Sequence, residues 1–335
     1  MKEYLVEKTY AGSRLDKYVQ RILPGAPWSL IQRLIRKRTL SVNGKKAHAE
    51  DLIRENDCIR VFLPDEKIEE LSAGTGSRRE KNPSVPTALS YHEAYHQLRG
   101  RIGIVYEDES VLVGNKPAGV LSQKADPKDL TLNEWFVGYL LEEKDLPESS
   151  LSMYTPSVVN RLDRNTQGLV LCAKTYEAGR ALSQALRDRT LRKYYAAVVE
   201  GRVDRSGVID GYLIRDEKTG ISRVVKEKAP GGSYSKTLYE PVKVSPDGSC
   251  TLLSLELVTG KTHQLRAHLS FVGHPILGDP KYGNRKRNEA LHLRYQLLCC
   301  VKVVFPPLQE EALSGIGGRT IAIDVPKRYR ELVRG

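Results

Sequence analysis

The sequence predicts an α+β protein: a large domain on a central mixed or antiparallel sheet, with a small basic α/β unit ahead of it. Strand-like runs recur at 111–114, 169–173, 194–199, 251–257 and 301–305, with one clear helix at 176–187. They outnumber the helices and do not alternate with them, which argues against a doubly wound parallel sheet. The first 65 residues carry two helical periodicities, then hairpin and strand signals.

In chain order, Leu15, Tyr18, Val19 and Ile22 fall at helical spacing within 14–23. Ser29 is placed to cap a second helix, with Leu30, Ile31, Leu34 and Ile35 as its apolar stripe. Arg33, Arg36, Lys37 and Arg38 then lie largely off that stripe. Asn43 and Gly44 signal a tight hairpin turn, followed by Lys45 and Lys46, and 57–63 alternates as a strand. Residues 66–100 read as a linker: 66–79 is polar, with Gly74, Gly76 and Ser77, and Pro83 and Pro86 follow. Such a stretch buries too little apolar surface to fold alone. Within it, 90–98 is expected as a short helix docked on the next domain, which spans 101–335.

A chain of 335 residues is long enough for two domains with sizeable cores. Lys and Arg number 53 against 41 Asp and Glu, a net charge of +12 that favours a polyanionic partner. There is no run of about 18 apolar residues and no basic-then-apolar amino terminus, so a membrane or secreted class is not expected and a cytoplasmic one is. The five cysteines, Cys58, Cys172, Cys250, Cys299 and Cys300, are odd in number, two are adjacent, and no Cys-x-x-Cys occurs. Buried thiols are expected from them, not a disulfide framework or a zinc site.

The run from Asn160 to Leu169 is the most informative stretch. It sets Asp163 between Arg161 and Arg164, in a turn ended by Gly168 and followed by an apolar run. Nearby guanidinium groups favour the charged form of a carboxylate. An ionised carboxylate can act as a nucleophile or a base, and the arginine forks suit phosphate and base contacts. The same residues also describe a surface loop in which Asp163 pairs locally. A second run holds Gly260, Lys261, Thr262, His263, Gln264, Leu265 and Arg266. Close by, His268, His274 and Asp279 raise the question of a metal. However, residues five apart face opposite sides of a strand and stand well apart around a helix, so His263 and His268 do not converge on one ion. His263 and Gln264 are expected to hydrogen-bond within a turn and brace Arg266. The segment 114–119 lacks the Gly-Lys-Ser/Thr ending of a phosphate-binding loop, so ATP use is not indicated.

Together these runs resemble the RluA-type pseudouridine synthases. The family's arginine-leucine-aspartate-x-x-threonine-x-glycine motif matches Arg161 to Gly168. Its glycine-basic-x-histidine-glutamine-(Ile/Leu)-arginine motif matches Gly260 to Arg266. The segment 105–119 looks like the family's first motif, and 193–201 looks like the element carrying its active-site tyrosine. The resemblance implies a pseudouridine synthase-like fold and isomerisation of uridine within RNA, the base leaving its nitrogen linkage and rejoining through carbon. No external group is joined, so no cofactor is implied. Asp163 matches the catalytic aspartate, Arg266 its basic partner, Tyr195 the tyrosine at the target base, and Arg161 an arginine that fills the vacated stack. Tyr194 and Tyr195 alternate on a strand, so only one faces the cleft. Asn160 and Gln167 depart from the family's usual histidine and serine, and Gln123 stands near another usual histidine; these bear on RNA positioning.

The first 65 residues resemble an S4 RNA-binding domain. RNA contacts are then expected from Arg161, Arg164 and Lys116, and from Arg33, Arg36, Lys37, Arg38 and Lys45. Large-subunit ribosomal RNA is the expected substrate by analogy, with transfer RNA the nearest alternative. A monomer is expected. Two readings come from other classes: a non-catalytic RNA-binding or assembly factor, and a metal-dependent nuclease. The intact aspartate, tyrosine and arginine oppose the first; insensitivity to chelator, with RNA length unchanged, would remove the second.

Overall fold

Backbone pairing builds two sheets: the smaller lies over one core, and the larger contributes to a main core and to a further cluster that includes Ala196, Val198, Leu252, Cys299 and Tyr329. The computed structural model describes residues 1–7, 10–37, 39–72, 88–126, 129–152, 154–308 and 310–334.

The amino-terminal module comprises β1 (Lys2–Leu5), α1 (Leu15–Ile22), α2 (Trp28–Arg36), β2 (Leu40–Val42), β3 (Cys58–Val61) and α3 (Asp65–Ser72). Its antiparallel sheet runs β1-β3-β2. Leu15 and Val19 of α1 and Ile31, Leu34 and Ile35 of α2 are buried in one cluster with Ile59 and Val61 of β3. The expected Ser29 cap is not formed: Pro27 holds the cap position at φ −58° with no side-chain cap bond, and the helix already includes Ser29. The proline ring presets a φ close to helical, which starts the helix earlier. Asn43 and Gly44 both take left-handed φ, 51° and 74°, while Val42 and Lys45 exchange backbone hydrogen bonds of 3.0 and 2.9 Å. That is the turn Asn-Gly favours. The chain does not return as a full strand, however. Lys45 makes one bridge to Val42, and β2 pairs instead with β3.

The expected linker contains the ends of both cores. Ile68 and Leu71 of α3 pack in the first core, and Tyr95 and Leu98 of α4 (Ala88–Leu98) pack in the second. Two apolar residues three apart suffice once a neighbouring sheet supplies the surface, which polar composition alone conceals. The expected 90–98 helix is this α4, and it docks on α5 (Leu132–Glu143).

The larger sheet is formed by β4 (Gly103–Glu107), β5 (Val111–Lys116), β6 (Ser157–Val158), β7 (Gln167–Ala173), β8 (Arg192–Glu200), β9 (Gly207–Arg215), β10 (Ser222–Val225), β11 (Ser233–Val244), β12 (Cys250–Leu257), β13 (Leu298–Val304) and β14 (Thr320–Ala322). Its order is β10-β9-β11-β12-β8-β13-β7-β5-β4, with β6 beside β7 and β14 beside β13. Among the described residues, its one parallel strand pairing joins β13 to β7, Cys300 opposite Gly168. The expected mixed sheet is therefore present. Helices α6 (Tyr176–Arg187), α7 (Gln264–Phe271), α8 (Arg285–Ala290) and α9 (Lys327–Leu332) complete the domain. Helix α6 has the bounds its periodicity predicts. Thr175 caps it, accepting from the Ala178 N–H at 3.2 Å, and Ala178, Ala181, Leu182 and Ala185 form its buried stripe. Four of the five cysteines are buried, and all five are free thiols. Among the described residues no helix is long and apolar enough to cross a membrane.

Candidate active site

The central strands β5, β7, β13 and β8 form the floor on which the motif residues meet. Asp163 lies in the loop between β6 and β7, with 27% of its side chain exposed. That loop is tied down from the segment after β5. The Lys116 ammonium donates to the carbonyls of Arg164 (3.1 Å), Pro117 (3.1 Å) and Val120 (2.6 Å). The Gly119 N–H donates to the Arg164 carbonyl at 2.9 Å, and the Ser122 hydroxyl both donates to Leu162 O and accepts from Leu162 N–H, each at 3.0 Å. Gly168 has φ 111°, and a Cβ there would collide with the Cys300 backbone. Only glycine lets β13 come close enough to pair in parallel just behind the loop.

Lys116 thus departs from its expected role. It is fully buried on β5 and supports the Asp163 loop instead of reaching phosphate. Burial pulls its pKa down to about 7, and the Asp163 charge pulls it back up. Its three carbonyl acceptors match the three N–H donors of the charged form.

Helix α7 supplies the partner of Asp163. Arg266 donates from Nη1 to Asp163 Oδ2 at 3.0 Å. Its other edge grips Asp279, Nε to Oδ2 at 2.7 Å and Nη2 to Oδ1 at 2.9 Å. The Asp279 side chain is fully buried, and its Oδ1 also accepts the N–H groups of Lys281 (2.9 Å) and Tyr282 (3.1 Å). Burial opposes the charge of Arg266, but the bonds to Asp279 and the Asp163 charge outweigh it and raise its pKa. One guanidinium therefore joins a buried carboxylate to a half-exposed one. Gln264 pins the start of α7: its Oε1 accepts from Thr259 Oγ1 (2.7 Å) and Lys261 N–H (3.1 Å), and its Nε2 donates to Lys236 O and Thr237 Oγ1, both at 3.0 Å. The expected turn and brace are thus carried by Gln264. His263 bonds elsewhere, its Nδ1 lying 3.1 Å from the Tyr282 hydroxyl.

Of the two tyrosines on β8, Tyr195 is the buried one; Tyr194 is half-buried beneath the Lys302 ammonium, 4.1 Å from its ring centroid. Burial first, then the Cys300 thiol and the Asp163 charge, hold the Tyr195 phenol well above its ordinary pKa. It stays protonated at neutral pH and is a donor, not a base.

Arg161 and Arg164 are exposed, and neither is the partner of Asp163; Arg164 lies 3.4 Å from Asp129 in a surface pair. The local pairing that the motif alone permits gives way to one with Arg266, far away in sequence. Arg33, Arg36, Lys37 and Lys45 are exposed on the amino-terminal module. Arg38 lies outside the described residues. The three histidines turn to different partners: His263 to Tyr282, His268 Nε2 to Ser235 Oγ (2.8 Å), and His274 Nδ1 to Glu200 O (2.9 Å). Burial lowers the pKa of His268 to about 4, so it is neutral at physiological pH. Asp279 and Tyr282, which fix Arg266 and His263, were not among the expected site residues. Their only signal was the proximity of Asp279 to the histidines in sequence.

The arrangement presents a partly exposed carboxylate with one oxygen held by a guanidinium, beside a buried, protonated phenol. That suits attack on, or charge stabilisation at, a carbon of a large substrate. Residues 110–271 match the model of the RNA pseudouridylate synthase family. The ribosomal large subunit pseudouridine synthase C of Vibrio vulnificus is 30% identical over 282 residues, 84% of this chain and 80% of that protein. The protein of the same name from Pasteurella multocida is 31% identical over 292 residues, 87% of this chain and 81% of its own. The solved structure of human RNA pseudouridylate synthase domain containing 4 superposes with a TM-score of 0.54 at 22% identity, covering 72% of this chain and 94% of that one. This chain belongs to the RNA pseudouridine synthase family, and the expected fold and isomerase class are borne out.

Proposed function

We propose that the protein converts uridine to pseudouridine in large-subunit ribosomal RNA, with Asp163 as its catalytic carboxylate. The observation that carries the site assignment is the Asp163–Arg266–Asp279 bridge. The target uridine leaves its stack, at a cost of a few kcal/mol that stacking and hydrogen bonds in the site offset. Asp163 acts on the sugar or base, Arg266 orients it, and Tyr195 lines the base as a proton donor. Arg161 is exposed at the same loop, where it can fill the vacated stack. The names of the Vibrio and Pasteurella relatives support ribosomal RNA over transfer RNA. The protein works as a cytoplasmic monomer. The deciding experiment incubates it with unmodified large-subunit ribosomal RNA and, separately, transfer RNA, and maps pseudouridines. Discrete new sites in ribosomal RNA alone are expected; sites in transfer RNA alone would replace the substrate, and none in either would overturn the reading.

The amino-terminal module, in this reading, is an S4-like RNA-binding domain that spans 1–72. Its exposed Arg33, Arg36, Lys37 and Lys45 supply sequence-independent phosphate contacts. Replacing Arg33, Arg36 and Lys37 with glutamine is expected to weaken RNA binding and flatten its dependence on log salt, by roughly 0.7–0.9 for each phosphate no longer neutralised. The rate at saturating RNA is expected to hold. An unchanged salt slope in filter binding would remove the module's assigned role.

A further inference from the structure

His263 occupies a constrained position. It is the residue before α7, with a left-handed φ of 58°. Its Nε2 faces Asp163 Oδ2 at 3.9 Å, and its Nδ1 lies 3.1 Å from the Tyr282 hydroxyl, the two rings meeting edge to face at 85°. Tyr282 is itself fixed. Its backbone N–H donates to Asp279, the Arg266 guanidinium lies 5.0 Å from its ring centroid, and its hydroxyl oxygen accepts the Ser222 N–H at 2.6 Å. A backbone N–H can only donate. The phenol hydrogen is therefore free to be given away, and among the described residues its acceptor is His263 Nδ1. That leaves the ring's own proton on Nε2, the nitrogen facing Asp163.

We propose that His263 is a positioning residue for Asp163: Tyr282 locks it as the neutral Nε2–H tautomer, and that N–H becomes the second donor to the carboxylate when substrate binds. The inference rests on the assignment of Asp163 above. A separation of 3.9 Å is too long for a hydrogen bond in the free protein, but catalytic contacts commonly tighten once substrate is in place. The nearest contacts of Arg266 and His263 are both to Oδ2. Among the described residues no side chain donates to Oδ1, so one oxygen is held while the other is presented to the substrate. The charged groups facing His263 are Asp163 and Asp279, which favour the imidazolium, and Arg266 and Lys281, which oppose it. Burial opposes it most, and the pKa is lowered. The neutral ring that the hydrogen bonds require is thus also the ionisation state its surroundings favour.

The sign of the pH effect follows. Protonating His263 at Nδ1 breaks the bond from Tyr282, which frees the ring, and sets a second cation beside Asp163 Oδ2, which blunts the carboxylate; in the parent protein activity is therefore lost only well to the acid side. In Tyr282→Phe that bond is absent, Nδ1 takes a proton more easily, and the acid limb of the single-turnover rate moves to higher pH. A tyrosine that merely packs would change the amplitude without moving the limb. His263→Gln, which keeps an N–H near the Nε2 position, should retain most of the rate. His263→Phe should lose roughly ten- to a hundredfold, the worth of one charge-assisted hydrogen bond. Nitrogen NMR of the imidazoles at neutral pH reads the tautomer directly, with the His263 signals assigned by their loss in His263→Gln. A protonated Nε2 with a bare Nδ1, turning into a mixture of tautomers in Tyr282→Phe, is the expected result. An Nδ1–H tautomer in the parent, or an unchanged one in Tyr282→Phe, overturns the proposal even if the variants fold poorly or lose activity. Because the NMR needs no turnover, its failure is separate from a failure of Asp163 as the catalytic carboxylate.

Discussion

Asp163→Asn is expected to abolish pseudouridine formation while the fold and RNA binding survive. The substitution keeps the size of the side chain and removes its charge. Arg266 remains fixed by its two bonds to Asp279, so the helix and its loop need not move. The carboxamide oxygen can still accept from Nη1, so the stability change should stay within about 1 kcal/mol, the scale of a single altered hydrogen bond. A fall in rate of at least about a thousandfold is expected, about 4 kcal/mol of lost transition-state stabilisation. Single-turnover assays at saturating RNA measure this. A rate within tenfold of the parent would sink the assignment of Asp163.

Arg266→Met should cost both stability and activity, for separable reasons. Without the guanidinium, Asp279 is a buried carboxylate with, among the described residues, only the Lys281 and Tyr282 N–H groups left as partners. Removing one member of a buried pair typically costs about 3–5 kcal/mol, because the remaining charge is uncompensated. Asp163 also loses its 3.0 Å donor and its orientation. Pairing the change with Asp279→Asn removes the stranded charge while leaving an acceptor for the two backbone N–H groups. The double variant should recover much of the stability in denaturant titration and none of the activity. Arg266→Lys should fall between parent and methionine variant, since an ammonium supplies charge but cannot span two carboxylates as a planar fork can. If Arg266 only touched phosphate, the methionine variant would bind RNA weakly yet turn over normally at saturation. A normal saturated rate would exclude the bridging role.

Strands β3, β5, β7, β8, β12 and β13 and the motif residues were legible in the sequence because they depend on local pattern. The apolar run 169–173 reads as a buried strand, and the periodicity of α6 gives its bounds. The meeting of Asp163 with Arg266 came from ordered motifs more than a hundred residues apart, information that periodicity does not hold. What stayed illegible depends on burial after folding. Lys116 looks like a phosphate ligand until β5 is seen between β4 and β7, where its ammonium finds only carbonyls. Asp279 looks like a neighbour of histidines until its loop folds back beneath α7. There Gly278, at φ 80°, passes so close to the Tyr295 carbonyl that a Cβ would collide with it. Ile68 and Leu71 looked like isolated apolar residues in a linker because their partners lie earlier in the chain, on α1, α2 and β3.

The parallel pairing of β13 with β7 has a consequence for how the enzyme comes into being. On one side of β13 lie β7, β5 and β4, which support the Asp163 loop; on the other lies β8, which carries Tyr195. The strand that unites them is the last of the central ones to be synthesised, long after both of its neighbours. Contacts so distant along the chain form slowly, because the intervening segment must be closed into a loop before they can hold. Neither flank by itself holds both the Asp163 loop and Tyr195. Appearance of activity during refolding should therefore lag behind the gain of secondary structure, and catalysis becomes a clock for the final closure of the sheet.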